Sequence, residues 1–198
     1  MPIMDETDKK LISLLQENGR TPLIKIGKSL GLSHVSIRKR LKRLYNNNLI
    51  KVTAGINVEK LGFRIATVNA EVEGHERLAE LLERFSKCPR IIFMTTTTGA
   101  YNLMTIMIAE DVDTLNAIIE VCSVRTQTGI RRSEVTIGEP PTVPKYLPIK
   151  IIAEKTLEDA PCGVNCGKCI RYKQKKCLGC QRRDIIAAHY ERRYSDKP

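Results

Sequence analysis

The stretch DETDKKLISLLQENGRTPLIKIGKSLGLSHVSIRKRLKRLYNNNLI, residues 5–50, constrains this chain more than any other part of it. Apolar residues recur there at helical spacing in three successive runs, and a Gly31-Leu32-Ser33 turn leads into the third. Asp5 is a good N-cap, with Asp8 three residues on, where negative charge suits a helix start. Leu11, Ile12, Leu14 and Leu15 mark the first helix, and Asn18-Gly19 ends it. Thr21 is expected to cap the second helix, with Pro22 in its first turn and Leu23, Ile26 and Leu30 as its buried stripe. Gly31 permits a sharp turn, and Ser33 caps the third helix.

On that third helix Ile37, Leu41 and Leu44 share one face at i, i+4 and i+7. The opposite face is centred on Val35, Lys39, Lys42 and Asn46, flanked by Ser36, Arg38 and Arg43, with His34 at its shoulder. A helix presented by a short Gly-containing turn is the standard device for placing side chains in the major groove of double-stranded DNA. Val35 suits a thymine methyl, and Ser36, Arg38 or Lys39 suit base edges. Lys42 and Arg43 are better placed for phosphates. The candidate DNA-binding set is therefore Ser33, His34, Val35, Ser36, Arg38, Lys39, Lys42 and Arg43.

Charge distribution agrees. The net charge of +11 divides into +6 over residues 1–50, −1 over 51–138 and +6 over 139–198, so a polyanion partner is expected at the ends and something else in the middle. The start is polar and acidic, and apolar runs such as 91–94 are far too short to span a bilayer. A soluble, cytoplasmic protein with no membrane partner is expected. In that compartment seven cysteines argue against structural disulfides. No Ser/His/Asp or Cys/His set converges and the three histidines are scattered, so no enzyme is expected.

Beyond residue 50 the patterning changes. Residues 50–58 read as a short strand or hinge, 63–72 as a strand, and 76–86 as an amphipathic helix with Leu78, Leu81, Leu82 and Phe85 inward. Residues 90–97 and 102–109 form a hairpin of β-branched and apolar strands about the turn Thr98-Gly99-Ala100-Tyr101. Residues 111–124 read as a helix capped by Asp111 or Asp113, and 130–137 as a closing strand. The order β-α-β-β-α-β names a ferredoxin-like sheet with helices on one face. Its other face needs a cover, and a second copy is the simplest one, so a homodimer or higher homo-oligomer is expected. Cys88 and Cys122 fall in helical segments and read as core thiols.

The matched stretches DETDKKLISLLQENGR, IGKSLGLSHVSIRKRLKRLYNNNLI and KVTAGINVEKLG resemble the Lrp/AsnC (feast/famine) transcription regulators, with several motifs in that family's order and spacing. The resemblance implies a helix-turn-helix DNA-binding domain followed by a domain for ligand binding and oligomerisation. It implies small effectors, usually amino acids, near the hairpin turn, here Thr98, Gly99, Tyr101 and Asn102. Asn102 stands where the family usually carries an acidic residue, and a neutral amide holds an ammonium less well.

Ordinary members of that family end before the last segment of this chain. Cys166/Cys169 and Cys177/Cys180 are two Cys-x-x-Cys units, with Gly167 and Gly179 giving backbone freedom. Four sulfurs match tetrahedral zinc as a structural staple for a module of about forty residues. Cys162 is an alternative ligand. An iron–sulfur cluster and a redox thiol switch are the rival readings. The segment resembles a small Cys-rich domain of presumed metal-binding proteins. It is basic through Lys168, Arg171, Lys173, Lys175, Lys176, Arg182, Arg183, Arg192 and Arg193.

The expected architecture is α+β. A helix-turn-helix domain spans 1–50, a hinge 51–60, a ferredoxin-like domain 61–138, a Pro-rich linker 139–158 and a Cys-rich metal-binding domain 159–198. The expected function is an effector-responsive, sequence-specific DNA-binding transcriptional regulator. The alternative is a metal- or redox-sensing interaction protein whose Cys-rich tail is the input.

Overall fold

The computed structural model describes residues 4–150, 160 and 162–180. The chain divides into two compact units, Met1–Ala54 and Gly55–Pro198. Among the described residues no helix is long and apolar enough to cross a membrane.

In the first unit α1 (Glu6–Glu17), α2 (Leu23–Leu30) and α3 (His34–Asn46) close around Leu11, Ile26, Ile37, Leu41 and Leu44. A capping box starts α1: the Asp8 N–H donates to the Asp5 carboxylate at 2.8 Å, and the Asp5 N–H donates to the Asp8 carboxylate at 3.1 Å. The start of α2 departs from the sequence expectation. Pro22, not Thr21, holds the N-cap position, and the Thr21 hydroxyl instead donates to the Asn18 carbonyl at 2.8 Å. The hydroxyl is thus drawn back to an open carbonyl just beyond α1 and is not available to the helix that follows.

The second unit is built on four antiparallel strands in the spatial order Ile91–Thr96, Leu103–Ala109, Arg64–Val72, Ile130–Gly138. The short β1 (Ile56–Asn57) precedes them. Then come β2 (Arg64–Val72), α4 (His75–Ser86), β3 (Ile91–Thr96), β4 (Leu103–Ala109), α5 (Val112–Ala117) and β5 (Ile130–Gly138), the ferredoxin-like sequence of elements. Alternation along β2 turns Ala66, Val68, Ala70 and Val72 toward the core, where Leu81 and Phe85 of α4 and Leu115 of α5 meet them. The opposite face carries a row from Phe93 through Ile106 and Thr67 to Thr136.

Three expectations require correction. The helix expected over 111–124 ends as regular α-helix at Ala117. It then widens into a π-helical turn, Ile118–Cys122, and finishes as a 3-10 turn, Val124–Thr126. The Ser123 hydroxyl donates to the Ile119 carbonyl at 2.9 Å, a back-bond that competes with regular helix.

The 139–158 linker and the 51–60 hinge join one another: β6 (Tyr146–Leu147) pairs antiparallel with β1. Leu147 and Ile149 are buried with Val58, Phe63, Ile65 and Ile108, because that end of the sheet needs an apolar cover. Residues 151–158 lie outside the described residues.

The Cys-rich segment does not stand apart either. Ala160, Cys162, Cys166 and Cys180 share one core with Ala70, Leu81, Phe85 and Cys88. A segment this short cannot bury a core of its own. Its one described helix is α6 (Ile170–Lys173), whose Arg171 ion-pairs with Glu120. Residues 159, 161 and 181–198, with Arg182, Arg183, Arg192 and Arg193, lie outside the described residues.

Candidate functional site

The exposed side of α3 begins at its cap. Ser33 accepts from the Ser36 N–H at 3.2 Å, and the two hydroxyls lie 3.0 Å apart, so both serines hold the first turn in place. Behind them, Gly31 takes the left-handed conformation at φ 66°. Gly27 is the tightest point: a Cβ there would stand 2.5 Å from the Leu32 carbonyl oxygen. Glycine is what lets α2 approach the turn closely enough to aim α3. Ile37, Leu41 and Leu44 are buried. His34, Val35, Arg38, Lys39, Lys42 and Arg43 are exposed, Val35 at 48%.

Two basic groups of α3 are committed elsewhere. Arg40 donates to Asp5 at 2.6 Å and to Asp8 at 2.9 Å, and Arg43 ion-pairs with the same fully buried Asp8. These contacts tie α3 to α1. The sequence reading missed Arg40, and it placed Arg43 on phosphates, whereas the structure turns one of its guanidinium nitrogens to Asp8. Arg38, Lys39 and Lys42 remain as the outward cations. Hydrogen bonding from Arg40, and then from the Asp8 N–H, holds the Asp5 carboxyl below the usual carboxylate range.

The β3–β4 turn gathers Thr98, Gly99, Tyr101 and Asn102, although with differing roles. Gly99 has φ 119°, and nothing lies within 4 Å of where a Cβ would point, so geometry explains the glycine. Arg132 spans the turn: it lies 5.3 Å from the Tyr101 ring centroid, donates to the Ala100 carbonyl at 3.0 Å and to Glu71 at 2.7 Å. Asn102 is bound to the backbone of Val72 through both ends of its amide.

The cysteines form a third assembly. Cys122 hydrogen-bonds with both Cys162 and Cys180, which raises its own thiol pKa and lowers theirs, Cys180 to about 6. Burial pushes Cys88 up to about 12 and Cys177 up to about 11. Among the described residues no three His, Cys, Asp or Glu side chains are drawn together as a ready metal-holding group, the Cys166, Cys169, Cys177 and Cys180 set included. No local pattern links Cys122 to Cys162, which follows it by forty residues.

Comparison with known proteins fits this geometry. Residues 4–45 match the AsnC-type helix-turn-helix domain, and residues 65–137 match the Lrp/AsnC ligand binding domain. The HTH-type transcriptional regulator FL11 of Pyrococcus furiosus is 34% identical over 121 residues, covering 60% of this chain and 80% of that protein. LrpA of Pyrococcus horikoshii is 31% identical over 118 residues, 59% of this chain and 84% of that one. Among solved structures, E. coli AsnC aligns with a TM-score of 0.62 at 18% identity, over 71% of this chain and 95% of its own. A transcriptional regulator of Neisseria meningitidis in complex with L-Met aligns at 0.60 and 19%, over 69% and 90%. Both family matches stop short of the cysteine segment. With its helix-turn-helix and its ferredoxin-like domain each matched in turn, the chain belongs to the Lrp/AsnC family of transcriptional regulators.

Proposed function

We propose that this protein is a sequence-specific, DNA-binding transcriptional regulator that works as a homodimer or higher homo-oligomer. The observation that carries the reading is α3: its aliphatic side is buried in its own bundle while Val35, Arg38, Lys39 and Lys42 face outward behind a capped, glycine-tightened turn. Val35 and Lys39 near the start of the helix read bases, and Lys42 one turn on neutralises a phosphate.

The row Phe93–Ile106–Thr67–Thr136, with Phe93 48% exposed, is the surface on which a second copy pairs. Pairing supplies two recognition helices for two half-sites. A small effector such as an amino acid binds beside the β3–β4 turn of Thr98, Gly99, Tyr101 and Asn102, where Arg132 meets the Tyr101 ring and the Ala100 carbonyl. Support for that class comes from the Neisseria relative solved with L-Met. Effector binding shifts operator affinity by favouring one arrangement of the subunits. The cysteine segment adds a metal ion, zinc by preference, held by its sulfurs.

The test is retention of duplex fragments of the source genome by the purified full-length protein across a salt series. A subset of fragments is expected to bind tightly, with affinity falling steeply as salt rises. Absence of any salt-sensitive retention overturns the proposal.

A further inference from the structure

The two flanks of α3 are electrically unequal. On one flank Arg40 and Arg43 are turned to Asp5 and Asp8 at the start of α1, so carboxylates already face those guanidinium groups. On the other flank, toward α2, Arg38 and Lys42 are exposed and have no ion-pair partner among the described residues.

The α2 flank is also shaped. Arg38, Leu41, Lys42, Tyr45 and Asn46 fall at i, i+3, i+4, i+7 and i+8, one stripe along the helix. With Leu23 from the first turn of α2 they line a groove of about 300 Å³. Leu41, buried, and Leu23, half-buried, give it an apolar floor. Tyr45 is 40% exposed, and neither its hydroxyl nor the Asn46 side-chain amide has a hydrogen-bond partner among the described residues. No carboxylate lines the groove.

An apolar floor beneath two unpaired cations and two unpaired polar tips suits an amphipathic anion. The backbone of a nucleic-acid strand is one, since each deoxyribose has an apolar face and each phosphate carries a charge. The groove is continuous with the outward face of α3, because Lys42 belongs to both. A strand of the same duplex whose bases α3 reads therefore lies within reach of it.

We propose that this groove seats one sugar–phosphate strand of the bound duplex: Arg38 and Lys42 hold a phosphate, the Tyr45 ring lies against the adjoining deoxyribose, and the Tyr45 hydroxyl and Asn46 amide donate to phosphate oxygens. The inference rests on the reading of α3 as the recognition helix. It adds Leu23, Tyr45 and Asn46 to the contacts of that helix and moves Arg38 from base edges to the backbone. Backbone contacts fix register and carry no sequence information. The α2 flank thus sets where α3 sits along the duplex, while the α1 flank commits its guanidinium groups to Asp5 and Asp8.

The experiment uses the full-length protein, one duplex that it retains from the source genome and one unrelated duplex of equal length, titrated by fluorescence anisotropy at several salt concentrations. Arg38→Ala is expected to weaken both duplexes alike and to reduce the salt slope by about one unit. Tyr45→Ala is expected to weaken both by about 2- to 10-fold, the worth of a hydrogen bond, with the salt slope unchanged because no charge is removed. Nitration of wild-type tyrosines with and without DNA, followed by peptide mapping, requires no variant to fold: DNA protects Tyr45 and leaves Tyr146, 62% exposed in the second unit, reactive. If Arg38→Ala weakens only the retained duplex, Arg38 reads bases and the inference falls. It falls too if Tyr45→Ala alters neither affinity and DNA leaves Tyr45 open to nitration; a changed assembly size in that variant would then assign the groove to a second copy. In either case a selective loss on the retained duplex with Lys39→Ala leaves the recognition-helix reading standing. If wild type binds neither duplex, both fall.

Discussion

The side-chain amide of Asn102 takes both backbone hydrogen bonds of Val72. The Val72 N–H donates to Oδ1 at 2.7 Å, and Nδ2 donates to the Val72 carbonyl at 2.8 Å. The pairing carries the β2–β4 ladder one step beyond its last register pair, Ala70 with Leu103. An amide fills this place because it both donates and accepts, whereas a carboxylate only accepts. Asn102→Asp therefore sets a carboxylate oxygen against the Val72 carbonyl. At neutral pH it should lose about 1–3 kcal/mol in urea unfolding. Acid should narrow the gap, because the protonated carboxyl regains a donor. Equal stability of variant and wild type at neutral pH would refute this account. It follows that a change in effector response on replacing Asn102 reports on the turn before it reports on a ligand.

Lys39 and Lys42 stand one turn apart on the outward side of α3, and their replacements separate reading from anchoring. Lys39→Ala should cost about 1–3 kcal/mol on the operator and far less on unrelated duplexes. Lys42→Ala should weaken both alike and reduce the salt slope by about one unit. Fluorescence anisotropy on both kinds of duplex at several salt concentrations measures the two effects. If neither substitution alters operator binding, the docking face is not this one.

The contrast between what could be read from residues and what required the fold follows from range. The caps Asp5 and Ser33, the stripe Ile37–Leu41–Leu44 and the strand over 63–72 are set by neighbours a few residues away, and the structure carries them all. Thr21 failed by one residue because its hydroxyl turns back to donate to the Asn18 carbonyl and makes no cap bond to α2. Arg43 read as a phosphate contact and Arg40 carried no local signal, yet Asp8, more than thirty residues earlier, pairs with them both. Leu147 and Ile149 carried no periodic signal, since a two-residue strand is too short to show one. Cys122 meets the other cysteines only once residues 162–180 are folded against it. Gly27 was legible in principle, as a lone glycine inside a helical pattern hints at close packing.

Acid should loosen α1 before it reaches the rest of the bundle. Arg40 and the Asp8 N–H keep the Asp5 carboxyl ionised below its ordinary value of 3.8. A carboxyl whose folded pKa is depressed adds stability that is complete above the unfolded value and disappears as pH falls through the folded one. Hydrogen exchange of the α1 amides in the full-length protein should therefore quicken as pH drops below about 3.8, after correction for the intrinsic rate. Asp5→Asn should show a flatter dependence. Parallel profiles for the two proteins would show that Asp5 contributes nothing there.

Gly27 offers the sharpest test that the turn sets the aim of α3. Alanine is ordinarily the better helix former, so in an open helix the exchange would stabilise by about 0.5–1 kcal/mol. Here the added methyl meets the Leu32 carbonyl oxygen at 2.5 Å, a backbone atom that cannot swing aside. The turn must open, and with it the angle between α2 and α3. Gly27→Ala should therefore destabilise the helix-turn-helix unit by about 1–3 kcal/mol, the usual range for overpacking. It should also lower operator affinity more than non-specific affinity, because a tilted α3 still meets phosphates but misses base edges. Gly31→Ala separates the two causes: no atom lies within 4 Å of its Cβ, so it strains only the left-handed backbone. If Gly27→Ala is as stable and as discriminating as wild type, the close approach of α2 does not position the recognition helix.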